Sequence, residues 1–175
     1  FETNQQATFE VPPGVIIALG DGIKVHDEFK FIHHTRSFYS NGNIQNEWIE
    51  ESKNKSEYFS DNGDVKSIES SLEKITNGYD LAGNLIIGIY EKRSFERNYY
   101  DNRNLKEDRF DYDYLDAVND QESHFGRVTN YRSDGSPESF AASWHAGPSG
   151  APTTQSSLAI EWGADGSLTS VEIDG

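Results

Sequence analysis

His33 and His34 are the first residues to suggest chemistry, since paired imidazoles are common metal ligands. On an extended strand, however, neighbouring side chains point to opposite faces, so these two cannot readily share one ion. The chain has no HxH or HxxxH spacing, and a histidine-based site needs His26, His124 or His145 brought in by the fold. The densest acidic cluster is Asp111, Asp113, Asp116, Asp120 and Glu122. Asp111, Asp113 and Glu122 fall at positions one, three and twelve of a calcium loop, where a hard cation takes oxygen ligands. Leu115 then falls at position five, and Asp116 stands where that loop demands glycine. The expectation is a solvated acidic loop, with a loose Ca²⁺ contact through Asp111, Asp113, Asp116 and Glu122 as the alternative; no other cofactor is implied. Glu122-Ser123-His124 and Ser143-Trp144-His145 each bring a hydroxyl within two residues of an imidazole, but sequence neighbours rarely adopt triad geometry. GxSxG, HExxH, Walker and GxGxxG patterns are absent. A glycosidase-type carboxylate pair is set by spacing in the fold, not in the sequence. No catalytic residue is named on these grounds, and the chain reads as a non-enzyme more readily than as an enzyme.

Charge narrows the partners. Against 15 Lys and Arg stand 30 Asp and Glu, a formal charge of −15. A duplex-binding protein needs a basic footprint. The one basic cluster (Lys92, Arg93, Arg97, Arg103, Lys106 and Arg109) is interleaved with Glu91, Glu96, Glu107 and Asp108, as on a solvated face. From Ser133 to Gly175 there are six acids and no Lys or Arg, so that stretch repels anionic surfaces and suits a basic partner. The partner classes left are another protein or a second copy, with no nucleic acid and no membrane insertion. The longest apolar run, Val15 to Leu19, is strand-sized and far from the roughly 18 residues of a membrane helix. Cysteine and methionine are both absent. The start at Phe1 predicts a processed or trimmed product, and loss of a signal peptide would put it outside a bacterial cell or on its surface. Asn54-Lys55-Ser56 is a lone glycosylation sequon.

The elements that must position these residues announce themselves by a recurrent turn. An aromatic residue, three residues, a glycine, one residue and an apolar residue recur as Phe38…Gly42…Ile44, Phe59…Gly63…Val65 and Tyr79…Gly83…Leu85. Tyr131…Gly135…Pro137 and Trp162…Gly166…Leu168 follow, and Tyr99…Arg103…Leu105 replaces the glycine. Positions 42, 63, 83 and 103 are spaced by 21, 20 and 20 residues. A fixed period of that size signals one small unit stacked on copies of itself. Asn-Gly and Asp-Gly between alternating strands are hairpin turns, because the turn needs a positive φ. Arg103 in that place predicts a local cost or a changed turn type.

These signals predict a single all-β domain over residues 1–175, an antiparallel meander of roughly ten to fourteen short strands. It is either an open twisted sheet or a curled barrel. Residues 1–13 read as a lead-in and residues 14–110 as regular repeats. Val15 to Val25 reads as a hairpin, with Gly22 marking a degenerate first repeat. The later gaps of 32 and 31 residues (103 to 135 to 166) read as the same period with about eleven residues inserted. One insertion is acidic, residues 111–126, with a short helical turn near Tyr114 to Val118. Residues 127–175 read as degenerate repeats carrying the second, a Gly/Pro/Ser/Thr-rich surface loop over 144–157. Trp144 and His145 in that loop, with Trp48 and Trp162, are the candidate binding residues. The aromatics at the turns read as a packing ladder between hairpins.

Phe38-Tyr39-Ser-Asn-Gly42-Asn-Ile44-Gln-Asn-Glu-Trp48, Tyr58-Phe59-Ser-Asp-Asn-Gly63 and Tyr131-Arg-Ser-Asp-Gly135 resemble the MORN-like repeats of the YwqK-type antitoxin family. Tyr79-Asp80-Leu-Ala-Gly83-Asn-Leu85 and Tyr100-Asp101-Asn-Arg-Asn-Leu105 look like the YD repeats of Rhs-type proteins. The first resemblance covers residues 36–110 and, more loosely, 128–172. Both imply β-hairpin arrays without an active site, and the antitoxin likeness implies a protein-binding role. The function expected is therefore a non-catalytic repeat protein that binds another protein, or self-assembles, through its sheet surface and edges. The alternative is a barrel that holds a small apolar ligand or acts on it. An apolar, aromatic inner face would favour the first, and a face that collects histidines and carboxylates the second.

Overall fold

The computed structural model describes residues 3–10, 26–58, 64–151 and 154–175, with side chains from residue 30 onward. They form ten strands: β1 (Thr3–Glu10), β2 (His26–Phe38), β3 (Ile44–Tyr58), β4 (Val65–Tyr79), β5 (Leu85–Tyr99), β6 (Leu105–Asp116), β7 (Gln121–Tyr131), β8 (Pro137–Pro148), β9 (Thr154–Trp162) and β10 (Leu168–Asp174). All ten lie in one sheet in chain order, and each pairs antiparallel with its neighbours. β1 and β10 stand at opposite edges, so the meander is open and the curled barrel does not form. The hairpin expected over Val15 to Val25 and the turn glycine Gly63 lie outside the described residues. The lead-in expected over residues 1–13 contains β1, which pairs with β2 from Thr3↔Ser37 to Glu10↔Lys30. Its sequence, TNQQATFE, lacks an apolar stripe, yet backbone pairing to a neighbour needs none.

The recurrent motif now has a physical meaning. Its aromatic and apolar ends are the cross-strand pair that closes each hairpin: Phe38↔Ile44, Tyr79↔Leu85, Tyr99↔Leu105, Tyr131↔Pro137 and Trp162↔Leu168. At Val65 the partner is Tyr58 instead of Phe59, one residue earlier than the motif spacing. Between the ends sits one four-residue turn followed by a bulge. Tyr39 N–H donates to Asn43 O at 2.8 Å and Gly42 N–H to Tyr39 O at 3.0 Å, with Gly42 at φ 87°. Asp80, Tyr100, Arg132 and Gly163 open turns with the same two hydrogen bonds. This is a type I turn ending in a left-handed residue, which suits three- to five-residue hairpin loops. The Asn or Asp before the glycine locks it, as when Asn41 Oδ1 accepts from Asn43 N–H at 3.0 Å and Asp165 Oδ1 from Ser167 N–H at 3.0 Å. Arg103 keeps the turn type and takes φ 70°, so its difference from glycine appears as backbone strain.

The two expected insertions are ordinary hairpins. Residues 103 to 135 are separated by two strands, β6 and β7, and a turn at 117–120 without the motif. The acidic stretch 111–126 is therefore mostly strand, and the helical turn near Tyr114 to Val118 is the end of β6 running into that turn. Asp116 builds the turn by accepting from the N–H groups of Val118 and Asn119, both at 3.0 Å, and Asp120 takes the positive φ of 52°. Likewise the loop expected over 144–157 is β8 up to Pro148, a turn in which Ala151 N–H donates to Pro148 O at 3.0 Å, and β9 from Thr154. Gly, Ser and Pro suggested a loop because strands usually need larger side chains on one face at least. Here Ala142-Ser143-Trp144-His145-Ala146 alternates, which is strand patterning with small partners.

No hydrophobic side chain is buried among the described residues; those classed as buried are Gly78, Gly88, Gly126, Gly147 and Asp108. The sheet is a single layer. The chain's surface of 11075 Å² exceeds the roughly 8,600 Å² that a compact protein of this mass would show. Cohesion comes instead from the backbone ladder, from cross-strand pairs, and from turns stitched sideways along each rim. On one rim Tyr39 Oη donates to Tyr79 O at 2.8 Å and Asn43 Nδ2 to Leu81 O at 3.1 Å. On the other, Tyr100 Oη donates to Tyr131 O at 2.8 Å, Asn104 Nδ2 to Ser133 O at 2.7 Å, and the Arg132 guanidinium to Trp162 O.

Candidate functional site

Strand alternation and register sort every side chain onto one of two faces. The front carries the register row Trp48↔Thr76↔Ile89↔Asp116, and the back carries Asp113↔His124↔His145↔Gln155. In β6–β10 the front is apolar. Phe110, Tyr112 and Tyr114 line β6, Phe125 lines β7, and Phe140 and Trp144 line β8. Leu158 and Ile160 on β9 pair with Ile173 and Val171 on β10. Phe110 and Phe125 meet with ring centroids 6.2 Å apart. Trp144 is 41% exposed, Val171 49% and Ile173 79%, a large apolar presentation for a soluble surface. Lys106 and Glu138 stand at the bulges beside the rim turns. Between those bulges, the charged side chains on the front of these strands are Asp108, Arg127 and the turn-building Asp116.

That front meets β5 at an ionic seam. Asp108 Oδ1 accepts from Arg97 Nε at 2.8 Å, and Asp108 Oδ2 lies 3.5 Å from Arg127. Asp108 pushes the Arg97 guanidinium further up its already high pKa, against burial, which lowers it. Both arginines also cover aromatic faces, Arg97 over Phe95 at 4.6 Å and Arg127 over Phe110 at 6.0 Å. Burial, and next a hydrogen bond to Glu91 at 2.9 Å, raise the Tyr112 phenol above its ordinary pKa.

The back face holds what polar chemistry the fold assembles. His124 Nδ1 lies 2.6 Å from Asp113 Oδ1, and the His124 ring stacks on His145 with centroids 5.2 Å apart. Beside them, Gly126, Ala141, Ser143, Ser157 and Ala159 floor a shallow open depression of about 300 Å³. Among the described residues no three His, Asp or Glu side chains converge as a metal-binding group. The four calcium candidates are dispersed. Asp111 and Asp113 lie on the back of β6, while Asp116 belongs to the opposite face and spends its oxygens on the 117–120 turn. Glu122 is on the back but accepts from Gly150 N–H at 3.1 Å and Ser149 Oγ at 3.3 Å, closing the next connection. Hydrogen bonds from Asn119 hold the Asp116 carboxyl below its ordinary pKa.

The candidate binding residues do not converge either. Trp48 and Trp144 share the front face but stand five strands apart, about 24 Å at the usual strand spacing. Trp48 packs edge-on against His33 at 4.9 Å. His145 is on the back, and Trp162 closes the β9–β10 hairpin against Leu168. His33 and His34 point to opposite faces as expected, His34 Nε2 lying 2.9 Å from Glu47 on the back. Sequence reasoning missed the front aromatics Phe110, Tyr112, Phe125 and Phe140. Their signal was present as alternation in Phe110-x-Tyr112-x-Tyr114 and Phe140-x-Ala142-x-Trp144, patterns cut by the boundaries of the segments read as insertions, 111–126 and 144–157. Gly42, Gly83, Gly135 and Gly166 all occupy the positive-φ turn position.

No family model, curated protein or solved structure matches this chain.

Proposed function

We propose that this chain is a non-catalytic binding or structural repeat protein, which works by laying its front face and its β10 edge against another protein chain, its own kind included. One observation carries the reading: an apolar front on β6–β10 in a molecule where no hydrophobic side chain among the described residues is buried. Domains gain most of their stability by burying an apolar face between two layers, and this sheet supplies one layer. The second layer must come from elsewhere. β10 adds an unpaired backbone edge on which Leu168, Val171 and Ile173 are exposed. The MORN-like turn residues point the same way, towards an array that presents a surface. No helix among the described residues is long and apolar enough to cross a membrane.

The test is binding of an apolar fluorescent dye such as anilinonaphthalene sulfonate to the folded chain, with strand content followed by circular dichroism. The reading expects saturable dye binding in dilute protein with the β signal intact. A folded chain that binds no dye at any concentration contradicts it.

A further inference from the structure

The proposed reading leaves the occupant of the front face open, and the inference here rests on that reading: we infer that the second layer is a second copy of this chain, seated front to front over β6–β10 in a two-fold dimer. Size is the first argument. Five strands of 12, 11, 12, 9 and 7 residues span roughly 800 Å² of one face at ordinary strand spacing and rise. That matches the roughly 800 Å² each partner contributes to a stable interface of standard size. Charge is the second. A molecule with a formal charge of −15 repels its own copies, and the back of β9 and β10 adds Glu161, Glu172 and Asp174. The front of β6–β10 is the surface on which that repulsion is weakest. Its Asp108 is paired with both Arg127 and Arg97, and Asp116 is taken up by its turn, so no charge in the body of that face requires an oppositely charged partner. A neutral apolar patch that meets its own image satisfies the isologous requirement of a two-fold axis. Two twisted sheets meeting face to face also have an ordinary solution, with strands crossing at about 30°. Trp144 lies near the middle of the patch, on the central strand β8, and is the expected anchor.

The experiment uses two neighbouring substitutions on opposite faces. Ser143→Lys points from the back and Trp144→Lys from the front of the same strand. Light scattering coupled to size exclusion, over a hundredfold dilution series, should carry the native chain from 19.7 kDa towards twice that mass as concentration rises. Ser143→Lys should follow the native curve, and Trp144→Lys should need at least tenfold more protein to dimerise. Ala142→Lys, also on the front, repeats the test without removing an aromatic ring, should Trp144→Lys fail to fold. A native chain of 19.7 kDa at every concentration overturns the dimer, as does a dimer that the front substitutions leave intact. Dye binding by such a monomer would leave the protein-binding reading standing while the second-copy inference falls. A monomer without dye binding removes both.

Discussion

The two halves of this sheet solve the same problem in different ways. β2–β5 are strands of 13 to 15 residues that carry ion pairs on both faces. Lys74 meets Glu50 on the front at 3.5 Å, while Lys30 and Lys53 reach Glu51 on the back at 3.4 and 2.6 Å. Lys92 and Glu73 pair at 3.4 Å. Apolar residues there are divided between faces, with Leu72 and Phe95 on the front and the row Ile49↔Ile75↔Tyr90 on the back. β6–β10 are shorter, at 7 to 12 residues, and carry most of their large apolar side chains on the front, with Leu115 and Val128 on the back. The lesson is that a single layer can interleave charge on both faces, or can gather its apolar side chains on one. The seam between the two regimes is Asp108 with Arg97 and Arg127.

Breaking the seam should have the largest effect on stability. Asp108→Ala leaves two guanidinium groups facing each other around the former place of a buried carboxylate. Both arginines are over 40% exposed, so solvent screens the repulsion and the expected loss is about 2 kcal/mol, read from the urea midpoint. A midpoint unchanged by this variant would mean the halves are joined by backbone alone.

A smaller effect separates the turns. Gly83→Ala puts a side chain at φ 91° with open space around it, so backbone strain of about 1 kcal/mol is the whole cost. Arg103→Gly should run the other way. It relieves φ 70° and sacrifices the exposed hydrogen bonds of the guanidinium to Asp64 at 3.2 Å and to Asp101 O, a net gain of roughly 0.5 kcal/mol. Destabilisation by Arg103→Gly would mean that the guanidinium's links to Asp64 and Asp101 outweigh backbone strain at that turn.

Acid should act on the rim turns and on β3. Hydrogen bonds from Ser136 and Ser167 hold Asp134 and Asp165 below the ordinary carboxyl value of 3.8. A folded pKa below the unfolded one contributes stability that is present above about pH 4 and lost as pH falls through the folded value. Asn84 does the same for Asp80 in the other half. On β3, Lys53 lowers Glu51; burial raises Glu47, but Arg36, His34 and Asn77 together outweigh it. Urea midpoints measured from pH 7 to pH 2 should therefore fall below about pH 4, and fall less steeply in an Asp134→Ala, Asp165→Ala double variant. Identical pH profiles would remove these turns from the acid response.

The meander, the hairpin turns and the open-or-closed question were unequally legible. The turns could be read because Gly42, Gly83, Gly135 and Gly166 occupy a conformation that other residues enter at a cost. The motif hid the 117–120 turn, where Asp116 and Asp120 shape the chain without an aromatic or a glycine, so the adjoining halves of β6 and β7 passed for an insertion. β1 was illegible because its polar side chains carry no period, and pairing came from the backbone of β2. The front face could have been read from alternation in β6, β8 and β9. Gly, Ser and Pro density around Trp144 drew attention to loop chemistry instead. Closure could not be read at all, since it depends on whether edge strands meet, and no residue pattern fixes that.

The most direct test of the contrast between the halves is hydroxyl-radical labelling of Trp48 and Trp144, read by mass spectrometry across a dilution series. Both indoles are on the front, Trp48 in the interleaved half and Trp144, 41% exposed, in the one-sided half. The account predicts strong labelling of Trp144 in dilute protein, protection as concentration rises, and a Trp48 signal that does not change. Trp144 protected even at the lowest concentration, or both residues indifferent to dilution, would contradict it.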